Sequence, residues 1–213
     1  MNPGSPVTLT AGSLQLEGRR HQPPQNPVGL CLVAHPHPQF GGDMDNNVVL
    51  AVCRAANARN LAAVRFNFRG VGASQGRSAG GEAEIEDLRG VLDDLHERSE
   101  TRDLPFVLAG YSFGAWAAWR AAAQARGLSG LILVSPPMRL MAFDFSLNPR
   151  LLALFVVGDH DAFCSPNKLA RALENAGRAE TPRVVRGADH FWLGHETALE
   201  AIVGEFFVRG LSG

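Results

Sequence analysis

From Val28 onward, short apolar runs alternate with longer segments of helical character. The apolar runs are "VGLCLVAH", "AAVRFNF", "PFVLAG", "GLILVSPP", "LLALFVVGD" and "TPRVVRG". Several place Val, Leu and Ile at consecutive positions, which is typical of parallel strands that helices cover on both faces. The alternation therefore predicts an α/β fold with a doubly wound, mostly parallel sheet. Because ligand sites in such sheets lie beyond the carboxyl ends of the strands, functional residues are expected where these runs end.

Four segments between the runs have helical patterns, and one pattern is apolar nearly all round. That segment, "GAWAAWRAAAQARG", is predicted to be a central buried helix, whereas "AEIEDLRGVLDDLHERSE" carries a single apolar stripe. Near the amino end, "VTLTAGSLQLEG" predicts an antiparallel hairpin. The chain has 213 residues and shows no internal repeat or composition break, so we expect one domain over residues 1–213.

Charge and composition narrow the classes of partner. Twenty basic residues face 21 acidic ones without a Lys/Arg tract, which argues against nucleic acid and an anionic membrane as partners. The longest apolar run, near "LLALFVVG", is too short to cross a bilayer. No secretory signal pattern is visible, and the three cysteines are odd in number. We expect a cytoplasmic monomer or homodimer that acts on a small molecule.

Two segments match G-x-S-x-G, the pattern that surrounds the nucleophile of many serine hydrolases. "GYSFG" is centred on Ser112, follows the run "PFVLA" and opens the buried helix. The sharp turn between strand and helix needs small neighbours, and the helix amino terminus favours developing negative charge. "GASQG", centred on Ser74, leads into the loop-like "RSAGGEAE" instead. The pattern therefore favours Ser112 as nucleophile, with Ser74 in a glycine-rich turn.

A serine nucleophile needs a base, and the base needs a carboxylate that orients it. Downstream of Ser112, the apolar run in "LLALFVVGDHDAF" is followed by Asp159 and Asp161. The run in "TPRVVRGADHFWLG" is followed by Asp189 and His190. The order Ser, Asp, His along the chain is that of α/β-hydrolases. The other downstream histidines, His160 and His195, are interpreted as loop or surface residues.

From Val28 to the carboxyl end, the chain resembles small bacterial serine hydrolases of the α/β-hydrolase superfamily, related to dienelactone hydrolases and carboxylesterases. The resemblance rests on "VAHPHPQFGGDMDN", "RFNFRGVGASQG", "GYSFG" and the pair "GDHDAF" and "GADHFW". It implies that Asp161 orients His190, with Asp159 as the alternative, and that the Ser74 segment belongs to the family pattern without being its nucleophile. Related dienelactone hydrolases carry Cys at the turn and dehalogenases carry Asp, so Ser112 implies acyl transfer.

An oxyanion hole should accompany the nucleophile. The first donor is expected to be the backbone N–H of Phe113, and the second should come from the loop "HPHPQFGG". Prolines have no N–H, which leaves His37 as the expected donor in the position that the family uses, with Gln39 or Phe40 as alternatives.

A metal site is the competing interpretation of the same loop. Its potential ligands are His35, His37, Asp43 and Asp45. Against it, the oxyanion interpretation already explains the rigid prolines, and Asp45 is well placed to cap the following helix. We therefore expect no metal and no cofactor.

The segment "PPMRLMAFDFSLNPR", between two predicted strands, is too short for a lid domain. Met138, Met141 and Phe143, with their neighbours Leu140 and Phe145, are predicted to line an apolar substrate site, although packing under a loop would explain them equally well. The predicted function is hydrolysis of small carboxylic esters or thioesters through an acyl-enzyme on Ser112. A non-catalytic binding protein on the same fold, and a peptidase or acyltransferase with the same triad, remain alternatives.

Overall fold

Eight strands form one sheet in the computed structural model, which describes residues 3–146 and 151–210. The strands are β1 (Ser5–Ala11), β2 (Leu14–His21), β3 (Leu30–Ala34), β4 (Ala62–Phe66), β5 (Phe106–Tyr111), β6 (Leu128–Val134), β7 (Ala153–Gly158) and β8 (Arg183–Val185). Their order across the sheet is β1-β2-β4-β3-β5-β6-β7-β8. Strands β3 to β8 pair in parallel, while β1 and β2 form an antiparallel extension on β4.

Five α-helices cover the two faces of the sheet. They are α1 (Asn47–Ala58), α2 (Glu82–Glu97), α3 (Phe113–Ala122), α4 (Pro166–Asn175) and α5 (Glu196–Gly210). Helices α2, α3 and α4 contribute to one hydrophobic core, and α1 and α5 to the other. Both faces are thus sealed, which explains why β3, β4, β5 and β7 are buried at every position.

The predicted fold class is confirmed, and so is the amino-terminal hairpin, in which every residue of β1 pairs with a residue of β2. Helix α4 has no counterpart in the sequence-based prediction. Only Leu169 and Leu173 of this helix are buried, so its apolar stripe is too thin to stand out as a pattern. Among the described helices, none is both long enough and apolar enough to cross a membrane.

The segment between β6 and β7 carries no lid in its described part. Residues 135–146 and 151–152 contain neither helix nor strand. Two tryptophans of α3 hold this loop down, since the indole N–H of Trp116 donates to Ala142 O at 3.1 Å and that of Trp119 donates to Asp144 O at 2.8 Å. The described part of the loop therefore packs directly on α3.

Strand β5, helix α3 and strand β3 approach one another so closely that two glycines are required between them. A Cβ atom on Gly110 would lie 2.2 Å from the carbonyl oxygen of Gly114, and one on Gly114 would lie 2.3 Å from Ala34 O. Both obstacles are backbone atoms, so no side-chain adjustment relieves them. The chain can turn directly from β5 into α3 only because these side chains are absent.

Replacing Gly110 with alanine should therefore lower the free energy of unfolding by about 3 kcal/mol, because the added methyl group meets backbone. Urea unfolding followed by far-UV circular dichroism measures the change. Gly81→Ala is the matched control, since a Cβ there meets no atom within 4 Å, and it should change stability by less than about 0.5 kcal/mol. Equal stability of the two variants would contradict the close-approach argument.

Candidate active site

Ser112 occupies the sharp turn between β5 and α3. Its φ of 53° and ψ of −117° lie where residues with side chains are strained. The turn is held by hydrogen bonds on both sides, since Ser112 N–H donates to Val134 O of β6 at 2.9 Å and Ser112 O accepts from Ala115 N at 2.9 Å. The side chain of Ser112 thus stands at the amino terminus of α3, where the helix dipole favours negative charge.

Three of the predicted site residues form one chain of hydrogen bonds. The hydroxyl of Ser112 lies 2.9 Å from Nε2 of His190, and Nδ1 of His190 lies 2.9 Å from both carboxylate oxygens of Asp161. Because a carboxylate only accepts, Nδ1 carries the proton and Nε2 is left to accept from the hydroxyl. The arrangement can remove a proton from Ser112 while the carboxylate stabilises the resulting charge.

The carboxylate of Asp161 is buried yet held ionised. Burial raises its pKa, but hydrogen bonds from His190, Ser135 and the backbone N–H of Phe163 outweigh this and leave the pKa below its ordinary value. The backbone N–H of Cys164 donates to the same carboxylate at 3.0 Å. The alternative acid, Asp159, is exposed and accepts from Gly187 N at 2.7 Å. The structure therefore brings Asp161, and not Asp159, to His190.

His190 is fixed through its backbone as well as its ring. The Tyr111 hydroxyl donates to His190 O at 2.6 Å, and the ring of Phe163 packs edge-on against the imidazole at 4.7 Å. One oxygen of the adjacent Asp189 accepts from Phe191 N at 2.9 Å and from Trp192 N at 3.1 Å, which closes the loop that carries His190. The two remaining candidate bases lie apart from this network, His160 on an exposed turn and His195 half-buried before α5.

The loop after β3 carries the predicted second oxyanion donor. Among the described residues, no acceptor is found for the backbone N–H of His37 or of Phe113. The alternative donors are occupied, because Gln39 N donates to His37 Nδ1 at 3.2 Å and Phe40 N donates to His37 O at 3.1 Å. The imidazole of His37 packs against the ring of Phe113, with centroids 4.7 Å apart and the rings tilted by 54°, so the two free N–H groups belong to residues in contact.

His35 holds this loop in place as a neutral side chain. Its Nδ1–H donates to Pro36 O at 2.6 Å, and its Nε2 accepts from Phe68 N at 3.0 Å. Burial lowers its pKa to about 4, which the bond to Pro36 only partly offsets. His35 thus ties the loop after β3 to the end of β4, a role that the motif alone does not show.

The four potential metal ligands are turned to other partners. Besides His35 and His37, Asp43 accepts from Asp45 N at 2.8 Å, and Asp45 pairs with the buried Arg65. The expectation that Asp45 caps the following helix was wrong, because Asn46 is the cap of α1 and accepts from Val48 N at 2.9 Å. Within residues 3–146 and 151–210, no three His, Cys, Asp or Glu side chains converge as a metal-binding group. The loop thus offers backbone donors rather than a ligand set.

Ser74 has a structural position in the glycine loop. Its hydroxyl donates to Asn67 O at 2.7 Å and accepts from Glu17 N at 2.9 Å, so that both hydrogen-bonding functions are used. The same loop is anchored by Glu84, whose fully buried carboxylate accepts from Ser78 Oγ and from the backbone N–H groups of residues 79–81. The glycine loop lies against the loop after β3, because a Cβ on Gly80 would lie 3.3 Å from the His37 ring.

The predicted substrate-lining residues Met138, Met141 and Phe143 are partly buried and pack against the core that α2 and α3 share. Phe143 stacks on the buried Phe145 at 5.3 Å, with the rings 18° from parallel. Core packing accounts for this part of their surface. Contact of their remaining surface with substrate stays a prediction.

Comparison with known proteins places the chain among α/β serine hydrolases. Residues 41–153 match the family described as serine aminopeptidase, S33. An uncharacterised protein of Rickettsia prowazekii is 30% identical over 186 residues, which cover 84% of this chain and 78% of that protein. A solved α/β serine hydrolase homologue from Coxiella burnetii is 32% identical, with a TM-score of 0.86 and coverage of 94% and 96% of the two chains. A lidless serine hydrolase from Xanthomonas campestris is 30% identical, with a TM-score of 0.85 and coverage of 100% and 97%.

The buried His35 predicts a pH dependence of stability. The pKa of His35 is about 4 in the folded protein and near the ordinary 6.5 in the unfolded chain. At pH values between these two, the unfolded chain binds a proton at His35 and the folded protein does not. Stability should therefore fall as the pH is lowered from 7 to 4, by about 3 kcal/mol from this residue. Urea unfolding at several pH values should show a shallower fall in His35→Gln. Parallel curves for both proteins would contradict the neutral, buried assignment.

Proposed function

The chain belongs to the α/β-hydrolase superfamily, and on this basis we propose that it hydrolyses small carboxylic esters or thioesters through an acyl-enzyme on Ser112. The observation that carries the proposal is the hydrogen-bond chain from Ser112 Oγ through His190 to Asp161, with 2.9 Å at each link. Nucleophile, base and orienting acid are all present and in mutual contact, which supports catalysis over a purely binding role.

In the acylation step, His190 Nε2 accepts the hydroxyl proton as Ser112 Oγ attacks the carbonyl carbon. The carbonyl oxygen becomes negative and lies between the backbone N–H groups of Phe113 and His37, both of which are free to donate. The tetrahedral intermediate then expels the alcohol or thiol, which takes the proton from His190. Asp161 stabilises the imidazolium while it carries that proton.

Deacylation repeats these steps with water. His190 removes a proton from the water molecule, which attacks the acyl carbon and forms a second oxyanion in the same hole. Collapse of this intermediate breaks the bond to Ser112 Oγ, which recovers its proton from His190. The acid leaves, and every proton that His190 accepts is returned within the cycle, so no cofactor takes part.

The surface around Ser112 supports substrates with an apolar group. Among the described residues, the exposed large apolar side chains include Phe40, Leu140, Phe191 and Leu193, and each lies in a loop that also carries His37, Ser135 or His190. Phe40 packs at 4.9 Å on His37, and Phe191 lies 5.9 Å from the His190 ring. We call these four residues the apolar rim. Such a rim covers an acyl or aromatic group that extends from the reacting carbonyl.

The description of the matching family raises the question of peptides with a free amino terminus. The apolar rim favours esters over aminoacyl peptides, because an α-ammonium group gains nothing from contact with apolar side chains.

Removing the nucleophile should abolish activity. Ser112→Ala is expected to lower kcat for a short nitrophenyl ester by at least about a thousandfold, because no acyl-enzyme can form. Ser74→Ala is the matched control and should keep more than about half of the wild-type kcat/KM. Retention of activity in Ser112→Ala would refute the assignment, and failure of a fluorophosphonate probe to label wild-type Ser112 would favour a binding protein.

The apolar rim predicts a preference that depends on chain length. Leu140→Ser and Leu193→Ser should each lower kcat/KM about fivefold for nitrophenyl octanoate, and less than about twofold for the acetate, since only the longer chain reaches the rim. Leu152→Ser removes another exposed leucine, directly before β7, and serves as control. Equal losses on both esters would contradict a role for the rim, and faster cleavage of aminoacyl nitroanilides would favour the peptidase alternative.

A further inference from the structure

Behind the proposed triad, a second chain of hydrogen bonds runs from Trp192 through Ser135 to Asp161. The indole N–H of Trp192 donates to Ser135 Oγ at 2.9 Å, and the Ser135 hydroxyl donates to the Asp161 carboxylate. An indole N–H can only donate, so the Ser135 oxygen accepts there and its own hydrogen is directed at the carboxylate. Ser135 and Trp192 have no exposed surface.

The backbone is strained at both Ser135 and Trp192. Ser135 has a φ of 48° and Trp192 a φ of 62°, a region that residues other than glycine rarely occupy. Within the described ranges, only Asn60 and Ser112 share this property among residues other than glycine. Three of the four strained residues thus belong to the hydrogen-bonded site. Strain of this kind persists where surrounding contacts over-determine the conformation, and it concentrates at functional sites.

The position of Ser135 explains how it reaches the carboxylate. It directly follows β6, and its backbone N–H continues the sheet by donating to Val156 O of β7 at 2.8 Å. The side chain is therefore fixed relative to the strand whose end carries Asp161. Trp192 comes from the loop of His190, so the network joins the ends of β6 and β7 to the loop after β8.

We propose that Ser135 is a positioning residue whose hydroxyl holds the Asp161 carboxylate towards His190, and that Trp192 directs this hydroxyl. The inference rests on the proposed function of Ser112, His190 and Asp161. In its favour, Asp161 has three other donors, which are Phe163 N, Cys164 N and His190 Nδ1, and the Ser135 hydroxyl adds a fourth from the end of β6. A carboxylate with donors on several sides cannot rotate away from the imidazole.

Loss of the hydroxyl has an electrostatic consequence that activity measurements can detect. The Ser135 hydrogen bond lowers the pKa of Asp161 against the effect of burial, so its removal raises that pKa. The other titratable groups that face Asp161 are His190, Tyr111 and Cys164. Burial and, to a smaller extent, the charge of Asp161 raise the pKa of Tyr111 well above its ordinary value and that of Cys164 to about 12, so both stay neutral during an assay near neutral pH.

The acid limb of the pH profile should therefore depend on how well the carboxylate of Asp161 is stabilised. A carboxylate that is less well stabilised binds a proton at higher pH. In Ser135→Ala, the acid limb of kcat/KM should move to higher pH by about half a unit, and kcat/KM at its optimum should fall about tenfold. Ser135→Gly should show the same shift, because glycine accepts the positive φ and isolates the effect of the hydroxyl.

Ser74→Ala is the matched control, because it also removes a buried hydroxyl with two hydrogen-bond partners, and its acid limb should not move. Trp192→Phe keeps an aromatic ring and removes only the N–H donor, so its acid limb should move in the same direction by a smaller amount. Because stability is itself expected to fall with pH, the folded fraction of each variant is measured by circular dichroism at every pH, and kcat/KM is expressed per folded protein. An unmoved acid limb in both Ser135 variants, or an equal shift in Ser74→Ala, would overturn the proposal.

A measurement without substrate separates this proposal from the proposed function. Carbon-13 NMR of labelled aspartate carboxyls in the full chain follows the titration of Asp161, with Asp161→Asn to assign the signal. The midpoint should lie at higher pH in Ser135→Ala than in wild type, and an unchanged midpoint would refute the positioning role. If wild type hydrolyses no ester or thioester, the proposed function fails, whereas the NMR midpoints still decide whether Ser135 holds the carboxylate.

Discussion

The contact of α3 with β5 and β3 is the constraint on which the rest of the site depends. Two glycines allow backbone to lie against backbone, and the chain therefore turns from strand to helix at Ser112 without an intervening loop. This turn places the hydroxyl above the carboxyl edge of the sheet, at a helix amino terminus. Other elements of the site then need only reach this one fixed point.

The loops around Ser112 are held by hydrogen bonds to main-chain groups and not by apolar packing alone. His35 binds the loop after β3 to the end of β4, Glu84 accepts hydrogen bonds from the glycine loop, and Asp189 closes the loop that carries His190. Each uses one polar side chain to satisfy backbone groups that would otherwise be unpaired. These hydrogen bonds fix the loops around Ser112, while the backbone N–H groups of His37 and Phe113 have no acceptor among the described residues.

Much of this arrangement could be predicted from the sequence, because it depends on local patterns. The apolar runs define the parallel sheet, and a short strand, two glycines and a buried helix distinguish Ser112 from Ser74. Helix α4 was not predicted, since only two of its side chains enter the core. The contributions of Glu84, Ser135 and Trp192 were also missed. Glu84 has the position of an ordinary helix-start acid, and neither Ser135 nor Trp192 is a residue for which a sequence pattern indicates positive φ.

The hydrogen bond from Tyr111 to the carbonyl of His190 links two parts of the site that are far apart in the chain. Tyr111 is the last residue of β5 and the immediate neighbour of Ser112, so the strand that leads into Ser112 also holds the backbone of His190. A displacement of the end of β5 would therefore move Ser112 and His190 in the same direction. Their separation would then depend less on movements of the sheet than on this single hydrogen bond.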